Sequence, residues 1–542
     1  MKKSSLYYHI YLSSIHHQAQ FLHERFDHEY IPQQKPLPDE DYQAIMSQWA
    51  IAVCGEDDRD MLMQVLDRQG YATNRLPRVL NSSPKLVPIW TDALMAWLYY
   101  PLPEPAPDFF DSQKPIAFET VFTPIVSMVA DMLEHTDLLT PDAVHMLKRD
   151  LLRNLCRIAG QSLLIAFKHS QHSGTSRLAR LVATAPDEQY KKFVAKLRGD
   201  GILTLFETYP VLGRWLGTYL LQYLQHIDDV LLQFQCTDFS ALEAAYTEEP
   251  RHITRIQPGL SDAHRDGKTV TLLKLANGNR LIYKPRSLAM EALFNHVIAW
   301  INAQDTTLDL KTIPLIDGGD YGWMQFVTQK DCPDESAIGR FYQRLGMLLA
   351  LVHLLEGTDI HSENLIAHGE YPMIVDCETL LTPRRENHDF FSNPVSATDI
   401  AQQQLRRSAL RTAMLPDAHY HSAIATADKI VSNDTYPMLV NVNRDDMKIV
   451  MQPQSQPVHQ NVPHLNGNPI PVTDYIDDLL AGYAEIYRLI HRDPTAFIAQ
   501  LPDENLPGRF LLRPTEDYAQ LQRQMTQPAM LRDGIQAGIV LE

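Results

Sequence analysis

Cysteine is scarce. Cys54, Cys156, Cys236, Cys332 and Cys377 are the only five, and no two of them form a C-x-x-C pair. That spacing argues against a disulfide framework or a thiolate zinc site and fits reduced thiols of a cytosolic protein. Positive charge is outnumbered: 48 Lys and Arg stand against 66 Asp and Glu, a formal net charge of −18. The average field therefore repels polyanions, and nucleic acid is not an expected partner. Long apolar runs are missing as well. The longest, LGMLLALVHLL at residues 345–355, is too short to span a bilayer and contains His353. The N-terminal MKKSSLYYHIYLSS is broken by His9, Ser13 and Ser14, so it builds no signal-peptide core. No transmembrane segment and a cytoplasmic location, where ATP is available, are expected. No internal repeat of fixed period recurs.

What is present is a globular composition. The chain has 542 residues, 45 % hydrophobic and 21 % charged, enough for about three or four units. Residues 1–100 carry apolar residues at helical spacing. Residues 101–116 form a Pro-rich linker, with Pro101, Pro103, Pro105, Pro107 and Pro115 too dense for helix or sheet interior. Residues 117–250 read as a helical subdomain. The character changes over 251–335. There TVTLLKL and RLIYK flank Asn277-Gly278, which predicts a hairpin with a type I′ turn. A helix is expected over 288–302, and WMQFV is a further strand candidate. In 336–542, the helix FYQRLGMLLALVHLLEG is expected to stop at Gly357. NLIAH and YPMIVDCETLL read as a second hairpin about Gly369, residues 384–443 as a long insert, and a helix returns from residue 474.

Four features then follow in order: the first hairpin, Lys284 at the end of its second strand, the run Asp359-x-His361-x-x-Asn364, and Asp376-x-Glu378. Singly each is ordinary, since a lysine after a strand is usually solvated and D-x-H-x-x-N is usually a polar loop. Order and spacing give them meaning. Phosphoryl transfer from ATP needs a cation on the phosphates, hard oxygens around Mg²⁺ and a residue that orients the attacking hydroxyl. Protein kinases supply a strand lysine, a catalytic-loop Asp with an Asn five positions on, and a metal-binding Asp on the next hairpin. Asp359 and Asn364 are also five apart, and the strand–turn–strand before Asp376 returns the chain to the same metal. On this reading Lys284 neutralises phosphate charge. Asn364 and Asp376 hold Mg²⁺, with Glu378 a further ligand or an orienting carboxylate. Asp359 orients the substrate hydroxyl. Glu291, seven residues after Lys284, is the nearest helical partner for that lysine. No G-x-G-x-x-G precedes Lys284. LSDAHRDGKTV stands there instead, so Asp262 and His264 either help to cover the phosphates or form a surface turn.

SDAHRDGKTV, LIYKPRSL, GTDIHSENLIAHGEYPMIVDCETLL, SALRTAMLP, GRFLLRPTEDY and QPAMLRDG together resemble the dehydratase domain of class II lanthipeptide synthetases, the LanM type. The resemblance runs from about residue 118 to the C-terminus. It implies an α+β fold: a two-lobed, kinase-like (lipid-kinase-like) catalytic core with a large additional helical N-terminal region. It implies ATP and Mg²⁺ as cofactors and, as partner, a ribosomal precursor peptide with leader and core. Its Ser and Thr would be phosphorylated and the phosphate then eliminated to dehydroalanine and dehydrobutyrine. Carried over by residue, phosphorylation involves Lys284, Asp359, His361, Asn364 and Asp376, with Asp262 and His264. Elimination involves Thr412, Arg509 and Thr515. From spacing alone, Arg509 and Thr515 also read as the opening of the last helix. Complete synthetases of this type carry a C-terminal zinc cyclase, whereas no cysteine lies beyond Cys377. Cyclisation by this chain is therefore not expected; a separate cyclase as partner and a shortened or split synthetase are the alternatives. A peptide kinase without elimination and an inactive leader-binding pseudokinase are the competing functions.

Overall fold

In the computed structural model, residues 12, 15–26, 30–32, 35–71, 73–84, 89–99, 110–111, 114–133, 136–173, 186–242, 246, 252–382, 400–401, 404–405, 407–416, 422–424, 435–453, 460–503, 506–510 and 515–541 are described. Much of the Pro-rich linker and most of the 384–443 insert lie outside the described residues. The class is α+β: helices predominate, and the sheets are small and antiparallel.

The N-terminal part is built from α1 (Asp39–Cys54), α2 (Arg59–Arg68) and α3 (Ile89–Tyr99). The Asp58 side chain accepts the Met61 amide at 2.9 Å and so caps α2. A short pairing of Tyr30–Pro32 with Ser82–Pro84 joins these helices. Then come α4 (Thr123–Leu133), α5 (Pro141–Ser173) and α6 (Pro210–Cys236). Leu147, Leu151 and Leu155 on α5, and Leu212, Leu216 and Leu220 on α6, recur every four residues and are all fully buried. Each helix thus lays one apolar stripe into a shared core.

One face of a five-stranded sheet closes that core. The strands are β1 (Ile253–Gln257), β2 (Thr271–Leu275), β3 (Arg280–Lys284), β4 (Leu315–Asp317) and β5 (Gly322–Gln325), in the order β1-β2-β3-β5-β4. The β2–β3 hairpin stands where expected, but its turn is not type I′. Gly278 alone has positive φ, at 89°, and its amide donates to the Leu275 carbonyl at 3.0 Å. Leu275 in turn donates to the Asn279 carbonyl at 2.8 Å. This is a three-residue loop with glycine in the left-handed position, which needs only one positive φ. Alternation along β3 then sorts the side chains. Leu281 and Tyr283 join the helical core, with Tyr283 opposite Trp323. Ile282, opposite Met324, turns to the other face, where Met373 packs. Lys284, two residues beyond Ile282, shares that second face.

His226 of α6 lies against the sheet, 2 % exposed, with Nε2 2.8 Å from Thr271 Oγ1. Burial lowers its pKa from 6.5 to about 4, with nearby Asp229 opposing and Lys268 assisting. The unfolded chain therefore takes up this proton first as pH falls, so the contribution of neutral His226 is present above pH 6.5 and lost on the way to about 4. His16 shifts the same way, also by burial, to about 4. Melting temperature is expected to fall across this window, and less steeply in His226→Gln. An equal slope in the two proteins would contradict the assignment.

Below the sheet lie α7 (Ala289–Asn302), α8 (Glu335–Leu354), the hairpin β6 (Leu365–His368) and β7 (Tyr371–Ile374), and α9 (Ile476–Arg492). They share a second core that includes Phe294, Leu348, Leu365 and Ile486. Helix α8 stops at Leu354, before the expected Gly357, and the left-handed residue is Glu356 (φ 54°). Gly357 is needed for space instead: a Cβ there would lie 2.7 Å from Val352 Cγ1 and 2.8 Å from Leu380 Cδ2.

Thr435–Val440, at the end of the insert, and Lys448–Pro453, beyond it, form a hairpin whose turn docks on the helical part. Asn443 Oδ1 accepts the Phe118 amide at 2.9 Å, and Asp445 accepts the amides of Gln189 and Tyr190 at 3.2 and 2.8 Å. The last helices are α10 (Thr515–Met525) and α11 (Gly534–Leu541). Ile535 and Ile539 of α11 pack with Leu22, Met46 and Trp49, so the chain's end returns to the N-terminal helices. Among the described residues, no helix is long and apolar enough to cross a membrane.

Candidate functional site

The end of β3, the first turn of α7 and the segment after β7 meet between the two cores. Lys284, 4 % exposed, extends to this junction. Its Nζ lies 3.2 Å from Glu291 Oε1 and 3.1 Å from Asp376 Oδ2, and donates to the Val375 carbonyl at 2.7 Å. Burial disfavours the ammonium, but Asp376 and Glu291 outweigh it and the pKa rises. Burial likewise opposes ionisation of Asp376 and Glu291, yet the adjacent cations hold both carboxyls below their ordinary values.

Asp359, Ile360 and His361 follow α8, and Asp359 takes a left-handed φ of 59°. Two hydrogen bonds tie this loop to the Asp376 segment: Thr358 N to the Thr379 carbonyl at 3.3 Å, and Thr379 Oγ1 to the Thr358 carbonyl. Asn364 Nδ2 donates to the Asp359 carbonyl at 2.8 Å, and Val375 N donates to the Asn364 carbonyl at 2.9 Å. Asn364 thus stands between the Asp359 loop and Asp376. Burial raises the Asp359 pKa, and the charges of Glu378 and Asp376 add to this against His361 and Arg509.

Glu378 lies between two guanidinium groups. Its Oε1 is 2.8 Å from Arg509 Nη1, and its Oε2 is 3.0 Å from Arg286 Nε. The Arg509 amide also donates to the Glu378 carbonyl at 2.8 Å. His264 lies within the field of Glu378, Arg509, Arg286 and Asp376, and burial lowers its pKa.

The remaining candidates lie around this group, with His361 close enough for its charge to act on Asp359. Asp262 is exposed. His361 accepts the Glu363 amide on Nδ1 at 3.3 Å and bridges to Ser422. Thr412 is fully buried, and its hydroxyl donates to the Ala409 carbonyl at 2.7 Å and accepts the Met414 amide at 3.2 Å. Its carbonyl accepts the Ile360 amide at 2.9 Å, so Thr412 supports the Asp359 loop from behind. Thr515 opens α10, and its side chain lies outside the described residues.

Arg286 was missed by sequence reasoning, although it belongs to LIYKPRSL. It binds Glu291 through both terminal nitrogens, at 3.1 and 2.6 Å, and reaches Asp376 Oδ1 at 2.7 Å. Its only local sign is its place two residues after Lys284.

Among the described residues, no group of three His, Cys, Asp or Glu side chains could by itself hold a metal ion. Asn364 and Asp376 each carry a hard side-chain oxygen, the donor type that Mg²⁺ takes.

These residues all fall in one domain family. The chain belongs to the family described as Domain of unknown function (DUF4135), which matches residues 209–542, from the start of α6 to the C-terminus. A curated relative is the Lacticin 481/lactococcin biosynthesis protein LcnDR2 of Lactococcus lactis subsp. lactis. It is 25 % identical over 401 residues, which cover 69 % of this chain and 41 % of that protein. The chain thus spans less than half the length of the curated relative it matches.

Proposed function

We propose that this chain acts in lanthipeptide biosynthesis as a kinase-like dehydratase of the LanM type. It phosphorylates Ser and Thr of a ribosomal precursor peptide with ATP and then eliminates the phosphate. The observation that carries this reading is the constellation in which buried Lys284 and Glu291 meet Asp376, the Asp359–Asn364 loop is tied to the Asp376 segment, and Arg509 joins through Glu378. Similarity to a lacticin biosynthesis protein supports the peptide substrate.

Lys284 stands at the end of the sheet's central strand as a compact ammonium for the phosphates, oriented by Glu291. Asn364 and Asp376 would hold Mg²⁺, which when bound neutralises charge on the phosphates. Asp359 accepts the proton of the substrate hydroxyl as its oxygen bonds to phosphorus and the bond to ADP breaks. In the second step the α-proton leaves to a base, the Cα–Cβ double bond forms and the Cβ–O bond to phosphate breaks. Arg509 can grip the departing phosphate in a bidentate way.

The test is to incubate the chain with Mg-ATP and its cognate precursor and to read peptide mass. Loss of one water per modified residue is expected. An unchanged mass would refute the dehydratase, and a stable gain of phosphate would favour the kinase without elimination. Arg509→Met is expected to keep phosphorylating while elimination slows about 10²–10³-fold, as for loss of one preorganised donor at a developing charge. Phosphopeptide should then accumulate. Unmodified peptide would place Arg509 in ATP binding or folding.

A further inference from the structure

The ion-pair ring around Lys284 contains two cations, Arg286 and Arg509, beyond the one in a lysine–glutamate pair. Lys284 and Arg286 each touch both Glu291 and Asp376, and Arg286 also reaches Glu378. Three cations (Lys284, Arg286, Arg509) face three carboxylates (Glu291, Asp376, Glu378), so the ring neutralises itself. Both oxygens of Asp376 are already engaged: Oδ2 by Lys284 Nζ at 3.1 Å, and Oδ1 by Arg286 Nη2 at 2.7 Å.

A divalent cation cannot take Asp376 while both neighbours stay. Like charges at contact distance repel strongly where water is largely excluded. Lys284 is the better anchored of the two, on the strand end and the Val375 carbonyl. Arg286 lies past the end of β3, and besides the neighbouring Ser287 carbonyl it holds only side chains. Arg286 is therefore the group that can yield, and its planar fork suits a phosphate oxygen pair as well as a carboxylate.

We propose that Arg286 occupies the metal's place on Asp376 while nucleotide is absent, and passes to a phosphate when metal and triphosphate arrive together. The exchange conserves charge pairing: Asp376 trades a guanidinium for a dication, and Arg286 trades a carboxylate for phosphate. This rests on the ATP-dependent reading above.

Opposite shifts in two binding constants test it. Mn²⁺ binding to the nucleotide-free full chain is read by electron paramagnetic resonance. Binding of a non-hydrolysable ATP analogue in Mg²⁺ is read by calorimetry. Arg286→Met is expected to bind Mn²⁺ several-fold to tenfold more tightly and the analogue about ten- to a hundredfold more weakly, the worth of one charged hydrogen bond. Arg286→Lys should move both constants in the same directions by less, and it decides the matter if Arg286→Met fails to fold. If both constants weaken together, or neither moves, Arg286 is a structural residue and the proposal fails. A wild-type chain that binds no analogue in Mg²⁺ would instead overturn the ATP-dependent reading itself.

Discussion

Gly346→Leu is expected to prevent accumulation of folded protein, and Gly346→Ala to lower the melting temperature by several degrees. Helices α8 and α9 cross with their backbones in contact, and each contributes a glycine to the crossing. A Cβ on Gly346 would lie 1.9 Å from the Leu479 carbonyl oxygen, and one on Gly482 would lie 1.8 Å from that of Gln343. The closest carbon–oxygen contacts are about 3.3 Å, so even alanine must part the helices by roughly 1.4 Å. That movement would loosen Leu345, Leu348 and Leu349 from Ile486 and Ile490, all buried in one core. Overpacking by a methyl costs about 1–3 kcal/mol, and a leucine far more, against a total stability of roughly 5–15 kcal/mol. Because one separation relieves both clashes, Gly346→Ala with Gly482→Ala should cost less than the two single changes added. Thermal unfolding followed by circular dichroism reads all three. A Gly346→Leu chain with wild-type melting would refute the close crossing.

The parts of this architecture legible in the sequence are those set by local rules. Alternation on either side of Asn277-Gly278 and of Gly369 marks two hairpins, and the apolar period before residue 302 marks α7, which starts one residue later than expected. Placing Lys284 at a strand end and Glu291 in the next helix follows from the same rules, and the pair meets at 3.2 Å. What local rules cannot show is convergence. Arg286 reads as a solvated residue after a proline until Glu291, Asp376 and Glu378 arrive from three places around it. Strand β4 has only three residues and no period to detect. The turn type depends on one dihedral, at Asn277, that Asn-Gly composition leaves open. The resemblance assigns Thr412 to elimination, and no local rule shows that its hydroxyl bonds within its own turn, to the Ala409 carbonyl and the Met414 amide.

Asp376→Asn is expected to reduce phosphorylation by about a thousandfold or more, and to destabilise the fold as well. The two effects have separate causes. An amide keeps the shape but removes one of the carboxylates that Lys284 and Arg286 share, leaving the two cations to divide Glu291, and breaking a buried ion pair on one side costs about 3–5 kcal/mol. The chemical loss comes from the anionic oxygen itself. On the proposed ATP-dependent function, several kcal/mol of phosphate charge stabilisation would depend on a metal that Asn364 alone would hold poorly, and each 1.36 kcal/mol is about tenfold in rate. Pairing the change with Lys284→Met separates the causes. Removing both charges restores equal numbers of cations and carboxylates in the ring, so melting should recover part of the way towards wild type, while phosphorylation stays abolished. The wild-type ion pair should also resist acid. The cations hold the Asp376 carboxyl well below its ordinary value despite burial, so its contribution is complete above the unfolded value of 3.8 and is lost only in stronger acid. Unfolding curves and phosphopeptide yield from the same protein preparations supply both readouts. If the double variant melts no higher than Asp376→Asn, then Lys284 does not depend on Asp376 for its counter-charge. If Asp376→Asn phosphorylates at an undiminished rate, the metal and the γ-phosphate are held elsewhere.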